Sequence, residues 1–127
     1  MIIAIPSTGP EGLDSEVSMH FGRTPYYTFI TVENGEIKNV KSVPTPFTEH
    51  GPGDIPKFIK ENGGDVVIAY GMGQRAVDFF NQLGIRVILG AYGKIGDVIN
   101  AFFKDELKVE ENWKEKGDFG NHKWGQM

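Results

Sequence analysis

The sequence predicts a single α/β domain in which one mixed sheet of about five strands carries helices on its faces. Three observations support this fold class: short apolar runs rich in β-branched residues, an Asn-Gly pair between two strand-like segments, and three helix-length segments with one apolar face. A length of 127 residues suits one domain, and 39% hydrophobic residues supply a core of ordinary size. The predicted element order is β-β-β-α-β-α-β-α.

Three predicted strands open the chain. Residues 2–5 form a short apolar run with hydrophobic side chains on both faces, which is typical of a buried central strand. Residues 26–32 are dense in aromatic and β-branched side chains. Asn34-Gly35 separates them from residues 37–43, and this pair tolerates the positive φ of a type I′ turn. The second and third strands are therefore predicted to form a β-hairpin.

The second half of the chain alternates helices and strands. The first helix is expected to have Asp54 as its capping residue and to end at Gly63. A second helix is predicted over residues 74–83, and strands at 66–69 and 87–89 flank it. The last helix is predicted to bury five apolar residues at helical spacing: Ile95, Val98, Ile99, Phe102 and Phe103.

Composition sets the expected domain boundary and location. Residues 1–107 are expected to form the domain, and residues 108–127 a polar tail that is partly disordered or docked on a surface. The net charge of −4 supplies no global positive field for nucleic acid or an anionic membrane. No apolar run approaches the ~20 residues of a membrane span, and residues 1–6 lack the basic start of a signal peptide. A cytoplasmic location is expected.

The chain contains no cysteine, and this narrows the chemistry. It excludes disulfides, thiol catalysis, and an iron–sulfur cluster or zinc ion held by the protein's own thiolates. Nucleases of the ribonuclease-H-like type need carboxylates on the first strand to hold metal ions, and residues 2–5 contain none. A GxSxG elbow and a paired general acid and base are also missing. A non-catalytic binding protein is therefore predicted.

Loops that leave the parallel strands are expected to form a binding crevice at one edge of the sheet. Two of these loops are rich in glycine and lead into helices, and their candidate cofactor-binding residues are Gly71, Gly73, Arg75 and Lys94. Glycine lets a backbone approach a ligand closely, helix N-termini favour anions, and the two cations add positive charge. The alternative for each glycine is a tight turn that serves no ligand.

Residues 19–23, which read MHFGR, are a more specific candidate. His20 beside the flexible Gly22 can present an imidazole to a metal, and Arg23 can neutralise an anion. All four residues from His20 to Arg23, including Phe21, are assigned to the candidate cofactor site. In the alternative interpretation, backbone carbonyls satisfy His20 and Phe21 only fills the core.

Two other histidines are present. His50, in a Pro- and Gly-rich loop, is a second candidate metal ligand because of its position, whereas His122 is expected to be solvated in the tail. The three histidines show no HxH or HxxxH spacing, so no preformed metal site made entirely of protein ligands is predicted.

Four blocks carry a family resemblance: residues 17–27 (VSMHFGRTPYY), residues 65–68 (DVVI), residues 71–76 (GMGQRA) and residues 83–87 (LGIRV). With these blocks in this order, the chain resembles the dinitrogenase iron–molybdenum cofactor biosynthesis family, as a small stand-alone member. The likeness extends from residue 1 to about residue 107 and leaves out the tail.

The resemblance implies a ribonuclease-H-like three-layer fold without nuclease activity, and a carrier role. The implied cargo is an anionic metal–sulfur cluster of the iron–sulfur or iron–molybdenum type that brings its own sulfide and is bound transiently. His20 matches the family's histidine, and Arg23 with the 71–73 loop would balance the cluster's charge. A protein partner in cofactor assembly is implied as well. The alternative function is a small interaction or regulatory module that binds a small anion or a protein partner in the same crevice.

Overall fold

A computed structural model describes residues 1–46, 51 and 53–104. The five strands are β1 (Ile2–Ser7), β2 (Tyr26–Glu33), β3 (Glu36–Pro44), β4 (Val66–Ile68) and β5 (Arg86–Ile88). The three helices are α1 (Asp54–Glu61), α2 (Gln74–Gln82) and α3 (Ile95–Phe103), and two short 3-10 helices cover Gly12–Asp14 and Phe21–Arg23. His50 and the predicted tail, residues 108–127, lie outside the described residues.

The sheet has the mixed topology that the sequence predicts. Its spatial order is β3-β2-β1-β4-β5; β2 runs antiparallel to both of its neighbours, and β1, β4 and β5 are parallel to one another. The carboxyl ends of β1, β4 and β5 consequently lie at the same edge of the sheet, which we call the upper edge. The expected element order, β-β-β-α-β-α-β-α, is confirmed.

Helices cover both faces of this sheet. On one face the rings of Tyr27 and Phe29 contact Phe58 of α1, with centroids 5.8 and 6.0 Å apart. The next residue of β2, Ile30, points to the opposite face and pairs with Val40, which lies against the first 3-10 helix at Gly12. That 3-10 helix in turn packs on α3. The result is the expected three-layer, ribonuclease-H-like arrangement.

The β2–β3 hairpin closes as predicted. Asn34 and Gly35 have φ values of 54° and 76°, the left-handed pair that a type I′ turn requires. Local sequence therefore determines this turn completely.

Strand β1 is two residues longer than the predicted 2–5 run, because Pro6 is tolerated within it. Pairing with β4 involves Ile3 and Ala4 and stops there. The Pro6 carbonyl accepts a hydrogen bond from Ser18 N at 2.8 Å and therefore points toward the β1–β2 loop. The nitrogen of Pro6 lies on the same side of the strand, so β2 is not the neighbour that would need its N–H. Proline breaks no ladder hydrogen bond at this position.

The start of α1 differs from the expectation. Gly53, and not Asp54, is the capping residue, and Asp54 is the first residue of the helix. The Asp54 carboxylate accepts a hydrogen bond from Gly51 N at 2.8 Å, so it stabilises the preceding turn. The predicted end is confirmed, since Gly63 follows the helix with a φ of 83°.

Helix α3 buries Ile95, Val98 and Ile99 as predicted, but Phe102 and Phe103 are only partly buried. The last turn of α3 lies beside the hairpin turn at the lower end of the sheet, where the core is incomplete. An open groove of about 490 Å³ remains there, which we call the basal groove; it is lined by Met1, Val32, Glu33, Asn34, Gly35, Phe102 and Phe103.

Among the described residues, no helix combines the length and the apolar character that a membrane-spanning segment requires.

Candidate functional site

The loop between β1 and β2 crosses the upper edge of the sheet. Ser7 forms an antiparallel bridge with Val17, and Val17 N donates to the Gly93 carbonyl at 2.9 Å in the loop between β5 and α3. A second bridge pairs Glu16 with Lys94. Because β4 lies between β1 and β5, the stretch from Glu16 to Ser18 spans the carboxyl end of β4.

The two glycine-rich loops are joined at the same edge. Gly90 N donates to the Tyr70 carbonyl at 2.7 Å, and Ala91 N donates to the Ala69 carbonyl at 3.2 Å. All three loops that the sequence predicts at a common crevice are therefore connected by backbone hydrogen bonds.

Residues 19–23 form a loop segment whose two flanking residues are hydrogen-bonded to the last two residues of β1. On one side, Ser18 N bonds to the Pro6 carbonyl. On the other side, Thr24 Oγ1 donates to the Ser7 carbonyl at 2.7 Å. Both Ser18 and Thr24 are buried. The segment between them is consequently held in place although it lies in a loop.

Phe21 anchors the middle of this segment in the core. Its ring is 6% exposed and stands edge-on to Tyr27 and to Phe80 of α2, each with centroids 5.7 Å away. The Tyr27 hydroxyl donates a hydrogen bond to the Phe21 carbonyl. Burial raises the pKa of Tyr27 far above its usual value, so this donor keeps its proton. Phe21 thus fills the core, as the alternative interpretation expects, and its burial directs its neighbours outward.

His20 is exposed directly beside this anchor. Its backbone N–H bonds to Ser18 Oγ at 3.3 Å, and its carbonyl accepts from Arg23 N at 3.2 Å. The imidazole makes no hydrogen bond to any residue in the described part of the chain. Backbone carbonyls of the described residues therefore do not satisfy the ring, and the residue as a whole is exposed.

The cations assigned to the site lie at three different element ends. Arg23 ends the second 3-10 helix, Arg75 lies in the first turn of α2, and Lys94 is the capping residue of α3. All three side chains are exposed. Within residues 1–46, 51 and 53–104 none of them forms an ion pair. Their charges are therefore available to an anion.

The two helix N-termini at the upper edge are not equivalent. At α3, Ile95 N already donates to the Ser15 carbonyl at 2.9 Å, and a side-chain carbon at Gly96 would come within 3.2 Å of the Leu13 carbonyl. The β1–β2 loop therefore covers this end. The N-terminus of α2 begins at the exposed Gly73 and has no side-chain cap.

Some glycines of these loops are required by a tight turn, whereas others leave room for a ligand to approach the backbone. Gly90 and Gly93 have φ values of 92° and 94°, so the turn itself requires them. Gly73 has an ordinary φ of −68°, and a side-chain carbon there would meet no described atom within 4 Å. Gly71 is buried and Gly22 is half-buried within the second 3-10 helix. Neither backbone strain nor packing accounts for a glycine at position 73.

Two large apolar residues at the upper edge are exposed and are not among the residues that the sequence assigns to the cofactor site. Met19 is 40% exposed, and Tyr92, beside the Val17–Gly93 hydrogen bond, is 47% exposed. An aromatic residue inside the glycine-rich segment 90–93 was the available signal for Tyr92.

The basal groove and a second groove of about 580 Å³, next to the first 3-10 helix, contain none of the predicted site residues. His50, the second predicted metal ligand, falls outside the described residues.

Solved structures share this architecture. The crystal structure of PH0822 superimposes with a TM-score of 0.84 at 46% sequence identity and covers 90% of this chain and 99% of that one. The apo form of the orange protein from Desulfovibrio gigas has the same fold, with a TM-score of 0.73 over 87% of this chain and 92% of that one, at 18% identity.

Sequence comparison agrees with the structural one. MJ0580 of Methanocaldococcus jannaschii, an uncharacterized protein, is 31% identical over 101 residues, which is 77% of this chain and 86% of the relative. A family model, dinitrogenase iron-molybdenum cofactor, matches residues 1–105 and so contains every described site residue. The chain therefore belongs to the dinitrogenase iron-molybdenum cofactor family.

Proposed function

We propose that this protein is a non-catalytic cytoplasmic carrier that transiently binds an anionic metal–sulfur cofactor, or a precursor of one, of the iron–molybdenum type. The observation that carries the proposal is the exposed His20 imidazole, unengaged by the described residues, on a segment fastened at Ser18, Phe21 and Thr24. An imidazole held in this way can donate a lone pair to a metal without first rearranging the loop.

The donor set favours a cargo that carries most of its own ligands. Within the described residues no three His, Cys, Asp or Glu side chains come together in a way that could hold a metal ion. The whole chain lacks cysteine. A single imidazole cannot retain a bare ion tightly, whereas it can occupy one open position on a preformed metal–sulfur cluster. Transient binding follows from this.

Charge and shape at the upper edge suit an anion. Arg23 lies three residues from His20, and Arg75 with the uncapped N-terminus of α2 offers further positive potential. Gly73 leaves open space at that terminus. We therefore assign the approach of the cargo to the α2 side of the upper edge, because the β1–β2 loop covers the N-terminus of α3.

Metal retention by histidine variants tests the proposal. The protein is incubated without oxygen with iron, sulfide and molybdate, then desalted, and its iron and molybdenum are measured. We expect His20→Ala to lose most of the metal that the parent retains, a several-fold decrease. His122→Ala, a histidine outside the matched family region, is the control and is expected to retain as much as the parent. His50→Ala tests the second predicted ligand.

Equal metal retention by His20→Ala and the parent would contradict the carrier proposal. Circular dichroism of both proteins shows whether any loss arises from unfolding. Since His20 is exposed, we expect no change in the unfolding temperature.

The exposed side chains of Met19 and Tyr92 favour a second candidate, an interaction module that docks a protein partner at the same edge. Large apolar side chains that remain exposed beside a polar site are typical of protein contacts. Met19→Ser and Tyr92→Ser would weaken partner capture in the absence of any metal if this function is correct. A requirement for loaded metal would favour the carrier.

A further inference from the structure

The basal groove lies at the opposite end of the sheet from His20 and plays no part in the proposed carrier function. Its lining is partly apolar: the rings of Phe102 and Phe103, with centroids 6.5 Å apart, are only partly buried. Met1 at its rim is 48% exposed. Apolar surface that stays in contact with water at a concave site favours the binding of an apolar group.

We propose that Trp113 of the same chain occupies the basal groove. The chain leaves α3 at Phe103, which itself forms a wall of the groove, so the following residues start at the site. Trp113 comes ten residues later, and ten residues span at most about 35 Å when extended. Both tryptophans of the protein, Trp113 and Trp124, lie beyond α3, and Trp113 is the nearer one.

Tethering favours this occupant over a separate molecule. A short tether between two groups produces an effective concentration on the order of millimolar, so even a weak contact is populated within one chain. Tryptophan is one of the side chains enriched at binding contacts, because its large ring is apolar and its N–H can remain in contact with water.

Charge at the groove agrees with this choice. Glu33 on the rim is exposed and forms no ion pair within the described part of the chain. Lys114 directly follows Trp113, and Lys116 comes after Glu115. If the indole occupies the groove, an exposed pair between Lys114 and Glu33 would add little affinity but would favour one orientation.

Single-tryptophan variants test the proposal by fluorescence. Trp124→Phe leaves Trp113 as the only emitter, and Trp113→Phe leaves Trp124. We expect Trp113 to emit at shorter wavelength than Trp124 and to be quenched by acrylamide several-fold less efficiently. Adding Phe103→Ser to the Trp124→Phe protein is expected to shift the emission of Trp113 to longer wavelength. Phe79→Ser, which removes a half-exposed phenylalanine from α2, is the matched control and is expected to cause no shift.

A second measurement covers the case in which Phe103→Ser unfolds the protein. In the full chain, Trp113→Ala is expected to change the amide chemical shifts of Val32 to Gly35 and of Phe102 and Phe103, and to leave those of residues 19–23 unchanged. Equal emission and quenching of the two tryptophans, or unchanged groove amides, would overturn the proposal. If the short-wavelength emission of Trp113 were lost on dilution, the proposal would also be overturned, because the groove would then be occupied by a second copy of the chain.

Discussion

The ring of Phe21 stands edge-on to the ring of Phe80, with centroids 5.7 Å apart and planes inclined by 76°. Phe80 is fully buried in α2, and Phe21 belongs to the loop that presents His20. This contact links the candidate ligand to the helix whose N-terminus is uncapped. It explains how a histidine in a long loop can keep a fixed position relative to a helix that comes more than 50 residues later.

Phe21→Ala is expected to destabilise the protein by about 3–5 kcal/mol, because it removes a buried ring and leaves a cavity between the loop, β2 and α2. Urea unfolding at equilibrium measures this change. Phe79→Ala is the control: it removes the same side chain from the same helix as Phe80, but at a position that is 38% exposed, so its cost should be much smaller. Similar losses for the two variants would contradict the anchoring role of Phe21.

Two alanine substitutions at glycines separate backbone strain from ligand approach. Gly84→Ala places a side chain at a φ of 75° and is expected to cost about 1–2 kcal/mol. Gly73→Ala is expected to leave the free energy of unfolding unchanged, since its φ is −68° and the added carbon meets no described atom within 4 Å. Thermal unfolding of the two variants checks both values. A clear destabilisation by Gly73→Ala would show that the glycine serves the fold.

High pH should destabilise the protein through Tyr27. Burial raises the pKa of this phenol in the folded state, whereas in the unfolded chain it is about 10. Above about pH 10 the unfolded chain loses a proton that the folded chain keeps, so stability is present below that pH and falls by up to about 1.4 kcal/mol per pH unit above it.

Tyr27→Phe isolates this effect from the titration of other groups. We expect the variant to lose about 1 kcal/mol at neutral pH, since the Phe21 carbonyl loses its donor, and to show a shallower decrease between pH 9 and 11. Urea unfolding of both proteins across that range is the measurement. Parallel curves would mean that Tyr27 does not contribute to the alkaline loss.

The hydroxyls of Ser7 and Thr28 form a buried pair at 2.8 Å between β1 and β2. Thr28→Val keeps the shape of the side chain and leaves Ser7 Oγ without this partner, at an expected cost of about 1–3 kcal/mol. Adding Ser7→Ala should cost less than the sum of the single changes, because the double variant has no unsatisfied hydroxyl. A double-mutant cycle in urea measures the coupling, and strict additivity would contradict it.

Much of the fold follows from short stretches of sequence. The Asn34-Gly35 turn, the end of α1 at Gly63 and the order of strands and helices were all predictable, because turn conformation and apolar periodicity depend on neighbouring residues. For the candidate site, the sequence alone identified His20 and the loops at one edge of the sheet.

Contacts between distant residues decided the rest. The hydrogen bond from Ile95 N to the Ser15 carbonyl holds the β1–β2 loop over the N-terminus of α3, whereas that of α2 stays open, and local sequence contains no information about a pairing 80 residues apart. Likewise, helical periodicity identifies the apolar face of α3 but not where the sheet beneath it ends, so Phe102 and Phe103 remain partly exposed. The sequence by itself determined the secondary-structure elements and the residues that flank His20. Only the tertiary structure determined which glycine-rich loop remains accessible, because the β1–β2 loop reaches the start of α3 only once the whole sheet has formed.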